Sequence, residues 1–221
     1  KSKSIQCAKE ILDGKFKTSK KVVIEEFLEG EEASYFIITD GENYLPIGTA
    51  QDHKRIGEGD TGPNTGGMGA YSPSLLINKE LQNKINKQII EPTLKGLNKK
   101  GCKFVGILYA GLMIKNNQPK LIEYNIRFGD PECQVLMMRL DVDLLNLILS
   151  IKEKKLMSQK ISWKKEPGIT IVAAAKGYPG AYNTNSEIKN LQKIQTNNTK
   201  QIFHAGTINI NGKLLSAGGR L

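Results

Sequence analysis

"LIEYNIRFGDPE", residues 121–132, alternates in polarity with a period of two until it meets a turn. On an extended strand this puts Glu123, Asn125 and Arg127 on one face and Ile122, Tyr124, Ile126 and Phe128 on the other. The closing "GDPE" then predicts a helix, with Asp130 as N-cap, Pro131 at the first helical position and Glu132 beside the positive end of the dipole. A polar strand face that runs into a helix start is a place where sites are built. A carboxylate and an amide oxygen two residues apart suit Mg²⁺, which keeps its other positions for water and phosphate. Arg127 could reach the same phosphates with its planar donor fork. An edge strand with one solvated face would show the same alternation.

Working outward, "FVGILYAGLMI" (104–114), the turn "KNNQP" and "KLIEYNIRF" read as a hairpin. Val22–Leu28, Ala33–Thr39 and Tyr44–Thr49 read as further strands, with a tight turn at Asp40–Gly41, so the sheet is expected to be antiparallel. Ile5, Ala8, Ile11 and Leu12 predict a helix over 4–13 that Gly14 closes. Ile77, Leu81, Ile85 and Ile89 predict a second, interrupted at Glu91–Pro92 before Gly101. The helical region after Asp130 runs through Leu136, Leu140, Leu144, Leu147 and Ile151 with a break near Asp141–Asp143. The polar stretch "SQKISWKKEPG" marks a domain boundary between Ser158 and Pro167. Beyond it, "GITIVAAA" is expected as a buried strand, and Asn211–Gly212 as the turn of a hairpin.

The stretch "DHKRIGEGDTGPNTGGMG" (52–69) carries six glycines. If the strand from Tyr44 runs on, either Asp52 with Lys54 or His53 with Arg55 faces a ligand, not all four. Its glycines permit positive φ and close backbone approach, and bare N–H groups can cradle an anion. The stretch is neither a P-loop nor a dinucleotide fingerprint. "IEEFLEGEEAS" (24–34) is either a solvated bend or a hinge, in which the backbone at Phe27–Leu28 pairs with a base edge and a following glutamate accepts from ribose hydroxyls.

With 39% hydrophobic and 24% charged residues, the 221-residue chain is of globular type and long enough for a proper core. The formal charge of +10 invites an anionic partner, but the lysines are scattered along polar helical faces. A basic nucleic-acid binding module is the alternative from another class. It calls for aromatic stacking surfaces, which six Phe, seven Tyr and one Trp without an RNP-like cluster hardly supply. Cys7, Cys102 and Cys133 are odd in number and far apart, against a disulfide framework or thiolate zinc site, so a cytoplasmic location is expected. The longest apolar run, 104–114, is too short for a membrane-spanning helix, and no membrane role is expected. The start at "KSKSIQ" without Met and the end at "SAGGRL" read as a fragment.

"VVIEEFLEGEEAS", "QDHKRIGEGDTGPNTGGMGAYSP", "GILYAGLMI", "IEYNIRFGDPECQ", "AAKGYPGAY" and "FHAGT", in this order, resemble the phosphoribosylamine–glycine ligase family of the ATP-grasp superfamily. The resemblance covers nearly the whole chain. It implies an α+β ATP-grasp fold, antiparallel sheets with helices, followed by a small β-rich C-terminal domain. The divisions are 1–28, the remainder of the small ATP-grasp subdomain; 29–165, the large subdomain; and 166–221, an incomplete C-terminal domain. It further implies ATP-dependent ligation of glycine to 5-phosphoribosylamine through glycyl phosphate, an early step of purine synthesis. Glu123 and Asn125 would bind Mg²⁺ or Mn²⁺, and Arg127 and Lys54 would be catalytic. Glu25, Glu26 and Leu28 would hold adenine with Glu32 near the ribose, and Asp52, Asn64, Gly66, Gly67 and Asp130 would shape the site for the amine substrate and glycine. No obligate protein partner and no nucleic acid is implied. The family's N-terminal domain and its lysines and glycine-rich phosphate lid have no counterpart in this sequence, and Cys133 stands where Thr is expected. Another ATP-grasp carboxylate–amine ligase is the nearest alternative activity.

Overall fold

The computed structural model describes residues 2–15 and 21–221. Its centre is β1 (Glu31–Thr39), buried on both faces from Ala33 to Thr39. It pairs antiparallel with β2 (Tyr44–Asp52) on one side and β6 (Gly106–Lys115) on the other. β6 pairs in turn with β7 (Gln118–Asn125), and β2 with β5 (Gly69–Ser72), which carries β8 (Gly168–Ile171). The order is therefore β7-β6-β1-β2-β5-β8, antiparallel throughout. The β6–β7 hairpin turns at Asn116 and Asn117, both at positive φ, the backbone a two-residue turn needs to match strand twist.

Alternation along β1 sends its two sets of apolar side chains into two cores. Ala33, Tyr35 and Ile37 pack with Leu108, Ala110 and Leu112 against α2 (Lys79–Ile85) and α3 (Glu91–Lys99). Phe36 and Ile38 pack with Ile47, Ala50 and Tyr109 against α4 (Glu132–Arg139) and α5 (Leu144–Lys152). Burying a side chain of this size stabilises by about 1.5–3 kcal/mol, so the two layers are what hold the sheet. Asn78 caps α2 through its Oδ1, which accepts from the Leu81 N–H at 2.9 Å, so the helix starts after Ile77. A π-helical turn over Asn86–Ile90 joins α2 to α3, and Pro92 sits in the first turn of α3, where a missing N–H is harmless. The expected interruption is thus a local widening of one helical run. Asp143 caps α5 by accepting from the Asn146 N–H, which produces the break expected there.

Several expectations are corrected. Val22–Leu28 forms no strand: it has no sheet partner among the described residues, and Val23 and Phe27 are exposed. At the N-terminus α1 (Ser2–Glu10) widens into a π-helical turn, Ile11–Lys15, earlier than expected, while Gly14 takes the positive φ of 105° that a helix-closing glycine needs. β7 ends at Asn125, so Ile126 and Arg127 leave the alternation; Ile126 is 75% exposed and Phe128 joins the α4-side core instead. Asp130 does not cap α4. Its carboxylate is engaged by Gln134 and Arg220, and the Cys133 N–H donates to the Gly129 carbonyl. β8 is an edge strand with Ile169 and Ile171 pointing outward, 73% and 81% exposed, not a buried one. The glycine-rich stretch is partly regular: β3 (Arg55–Gly57) and β4 (Thr61–Asn64) form a two-stranded ribbon off the end of β2.

The segment 163–168 is strapped to the sheet. Arg139 donates to the Glu166 carbonyl, the Lys164 carbonyl and Ser72 Oγ, with its guanidinium over the Trp163 ring. After β8, β9 (Thr207–Ile210) and β10 (Lys213–Ser216) make the expected hairpin, with Asn211 and Gly212 both at positive φ.

Candidate active site

Register decides which side chains meet. Ser34 lies opposite Gly111 and Ala50, and Gly111 opposite Glu123. Glu32, Ser34 and Phe36 therefore share a face with Ala50, Asp52, Tyr109, Glu123 and Asn125. One end of that face is the apolar core under α4 and α5; the other is polar. The β6–β7 register shifts at Gly111/Leu112, leaving Ile122 as an extra residue opposite no partner. This bulge aims Glu123 across Gly111, where an added Cβ would stand 3.3 Å from Glu123 Cγ.

At the β7 end, Asn125 Nδ2 lies 3.3 Å from Glu123 Oε1, so the two groups can address one ion once the amide presents its oxygen. The set is hard-oxygen in character, and among the described residues no group of three or more His, Cys, Asp or Glu is arranged to hold a metal ion. That suits Mg²⁺ held by one or two protein groups with phosphates completing its shell. Arg127 lies just beyond, donating to the Phe128 carbonyl at 2.8 Å.

Across the sheet, Lys54 Nζ meets Glu32 Oε2 at 2.7 Å. Burial alone would lower the Lys54 pKa, but the Glu32 hydrogen bond and the charges of Glu32, Asp52 and Glu123 outweigh it and leave it raised. Lys54 stays an ammonium. The open choice in "DHKR" is resolved: Asp52 and Lys54 turn inward, whereas His53 and Arg55 are exposed.

Between these poles is a carboxyl that the sequence reading placed only at a helix dipole. Glu132 is 2% exposed. Its Oε1 is 3.0 Å from Ser34 Oγ, which is itself 2.9 Å from the Tyr109 hydroxyl. Glu132, Val135, Leu136 and Arg139 are the buried positions of α4, a 3.6-residue period that was legible in the sequence and that puts the acid on the inward face. Burial and the Glu132 charge push the Asp52 carboxyl up to about 7, against the opposing pull of Lys54, and Asp52 Oδ1 has no hydrogen-bond partner.

Because the folded pKa of Asp52 lies above its ordinary 3.8, the native state binds the extra proton, and its contribution to stability declines as pH rises from about 4 to about 7. Asp52→Asn should therefore melt higher than the parent at pH 8 and no differently at pH 4. An equal difference at both values would show that the carboxyl is not proton-linked to folding.

The remaining predicted residues fall into two groups. Glu25, Glu26 and Leu28 lie together on the irregular segment before β1; Glu26 pairs with Lys120, and Leu28 lines a cavity of about 350 Å³ with Phe27 and Met113. Asn64 is exposed on the β3–β4 ribbon. Gly66, Gly67 and Asp130 instead meet the C-terminal segment. The Gly66 N–H donates to the Tyr178 hydroxyl, and Arg220 binds Gly66, Gly67 and Asp130. The bareness of this loop thus serves close approach by protein groups. A larger cavity, about 710 Å³, lies between α4, β8 and residues 188–205; its wall is largely apolar, including Val135, Met138, Ile169 and Phe203, and Asp130 and Arg220 also line it.

The antiparallel sheet whose polar face carries the Glu123–Asn125 pair, with Lys54 and the buried Glu132 of α4 beside it, belongs to a domain of the ATP-grasp class, as the family model over residues 1–133 shows. The fold agrees: a biotin carboxylase from Campylobacter jejuni superposes with a TM-score of 0.52 at 16% identity over 75% of this chain and 35% of that one. Residues 1–133 match the phosphoribosylglycinamide synthetase ATP-grasp (A) domain and residues 168–221 the C domain of the same synthetase, and the chain belongs to that family.

Among its relatives, the chain is 54% identical over 204 residues to a chloroplastic phosphoribosylamine–glycine ligase of Arabidopsis thaliana, covering 90% of this chain and 38% of that one. It is 52% identical over 200 residues to the phosphoribosylamine–glycine ligase of Brucella melitensis biotype 1, covering 90% and 47%. The crystal structure of the Thermotoga maritima phosphoribosylamine–glycine ligase matches with a TM-score of 0.79 at 34% identity, over 89% of this chain and 48% of that one. The chain spans about half the length of most of these relatives.

Proposed function

We propose that this chain carries the metal- and substrate-binding face of an ATP-dependent ligase that joins glycine to 5-phosphoribosylamine, giving glycinamide ribonucleotide for purine synthesis. The observation that carries the reading is the single sheet face on which Glu123 and Asn125 lie across from Lys54, Glu32 and Asp52.

A carboxylate resists attack by an amine because oxide is a poor leaving group. Transfer of the γ-phosphoryl group of ATP to glycine gives glycyl phosphate, and the amine of 5-phosphoribosylamine then displaces phosphate. Such transfers depend on alignment and charge neutralisation more than on proton-transferring side chains. Glu123 and Asn125 would hold Mg²⁺ or Mn²⁺, which when bound neutralises phosphate charge. Lys54, a cation fixed by Glu32, and Arg127 supply positive charge to the transferring group. Glu25, Glu26 and Leu28 take adenine and Glu32 the ribose. Asp52, Asn64, Gly66, Gly67 and Asp130 bound the space for glycine and the amine. In this reading the chain divides at 28 and 165 into the end of the small subdomain, the large subdomain and a β-rich C-terminal domain.

No helix among the described residues is long and apolar enough to cross a membrane, and we place the enzyme in the cytoplasm with small-molecule partners only. Phosphate release tests the proposal: it should require glycine and 5-phosphoribosylamine together. Turnover with bicarbonate or another acid in the absence of glycine would reject it in favour of a different ATP-grasp ligase.

A further inference from the structure

Arg220 lies far along the chain from the polar face, yet its guanidinium is the hub of the loop that borders it. Nη1 donates to the carbonyls of Gly66 at 2.6 Å, Asp130 at 2.9 Å and Gly67 at 3.3 Å, while Nη2 donates to Asp130 Oδ2 at 3.0 Å. A planar fork holds several donors in fixed, separate directions toward two loops; an ammonium concentrates its three donors on one nitrogen at the end of a flexible stem. The seat is shaped for it. A Cβ on Gly66 would stand 3.0 Å from the guanidinium carbon, and one on Gly219 would collide with the edge of the Tyr178 ring, whose hydroxyl receives the Gly66 N–H at 2.9 Å.

The same loop touches the site directly. Gly67, at φ 105°, packs so closely that a Cβ there would lie 2.9 Å from Asp52 Oδ1 and 2.5 Å from Pro131 Cδ. Arg220 thus ties 65–67 to the turn that begins α4, and those two segments flank Asp52 and Glu132.

We infer that Arg220 is a positioning residue: through its fork and the Tyr178 hydroxyl, the C-terminal segment fixes the 65–67 loop and the Asp130 turn and so completes the amine-substrate side of the site. The inference rests on the ligase reading for the identity of that substrate. The side-chain partners of Arg220 are Gly66, Gly67 and Asp130 and include neither the residues proposed for adenine nor the Glu123–Asn125 pair, so its loss should be felt selectively.

In the full-length enzyme, Arg220→Lys should raise the KM for 5-phosphoribosylamine about tenfold, equivalent to about 1.4 kcal/mol, and leave the KM for ATP unchanged. Amide exchange at Gly66–Met68 should quicken while β1 keeps its protection. Gly66→Ala should act like Arg220→Lys, and the double variant should be little worse than either, because both break one contact. Unchanged exchange at Gly66–Met68 in Arg220→Lys, additive losses in the double variant, or an equal rise in both KM values would each overturn the inference. Failure of the parent enzyme to ligate glycine would fall on the function reading instead, since the exchange measurement requires no substrate.

Discussion

Glu123→Gln should lower kcat at least about a hundredfold while the melting temperature stays within the range of an ordinary surface substitution. Glu123 is an exposed residue at the open end of β7, it faces Gly111 rather than a packed side chain, and a glutamine there can keep its contact with Asn125. Nothing in the core depends on its charge. On the proposed reading the change falls on the ion site: one formal negative charge is removed from a pair that has only one, so the divalent-metal concentration needed for half-maximal rate should also rise steeply. A variant with near-parent kcat and metal dependence would remove Glu123 from the ion site and leave the polar face without its phosphate anchor.

Gly129→Ala is expected to cost about 3 kcal/mol of stability, combining overpacking with a lost buried hydrogen bond. A Cβ at 129 would stand 2.6 Å or less from the carboxyl atoms of Glu132, which is 2% exposed. Moving it breaks the bond that the Ser34 hydroxyl donates to Glu132 Oε1. The denaturation midpoint at constant m-value reads the loss. Combining Gly129→Ala with Glu132→Ala should be less damaging than the sum of the two, because the collision vanishes with the longer side chain. Additive losses would mean that Gly129 matters for some reason other than room for Glu132.

The sequence made the main sheet legible because its strands are bounded by turns with strong local chemistry, such as Asn116–Asn117 and Asp40–Gly41. Glu123 and Asn125 were legible by parity. What parity could not show was the bulge at Ile122 or the end of the strand at Asn125, since a register shift leaves no compositional trace. Glu132 was missed because an acid at a helix start has a ready explanation in the dipole; the spacing Glu132, Val135, Leu136, Arg139 was the better guide. Arg220 carried no local signal: its partners at 66, 67 and 130 meet it only through tertiary packing. The run Val22–Leu28 has the composition of a strand, but propensity yields a strand only where there is a neighbour to pair with.

The pairing of β8 with β5 sets an order of events during synthesis. Ile171 meets Gly69, and Gly168 meets Ser72, so the edge of the sheet stays open while the whole of α2 to α5 leaves the ribosome. At about 5–20 residues per second, that interval is several seconds or more, long compared with the microseconds a hairpin needs to form. The nascent chain therefore has β1, β2, β6 and β7 available to assemble around their cores before the strand that pairs with β5 exists, and Arg220 follows later than β8. The sheet should thus become resistant to protease on the ribosome before the Arg220 contacts to Gly66, Gly67 and Asp130 can form.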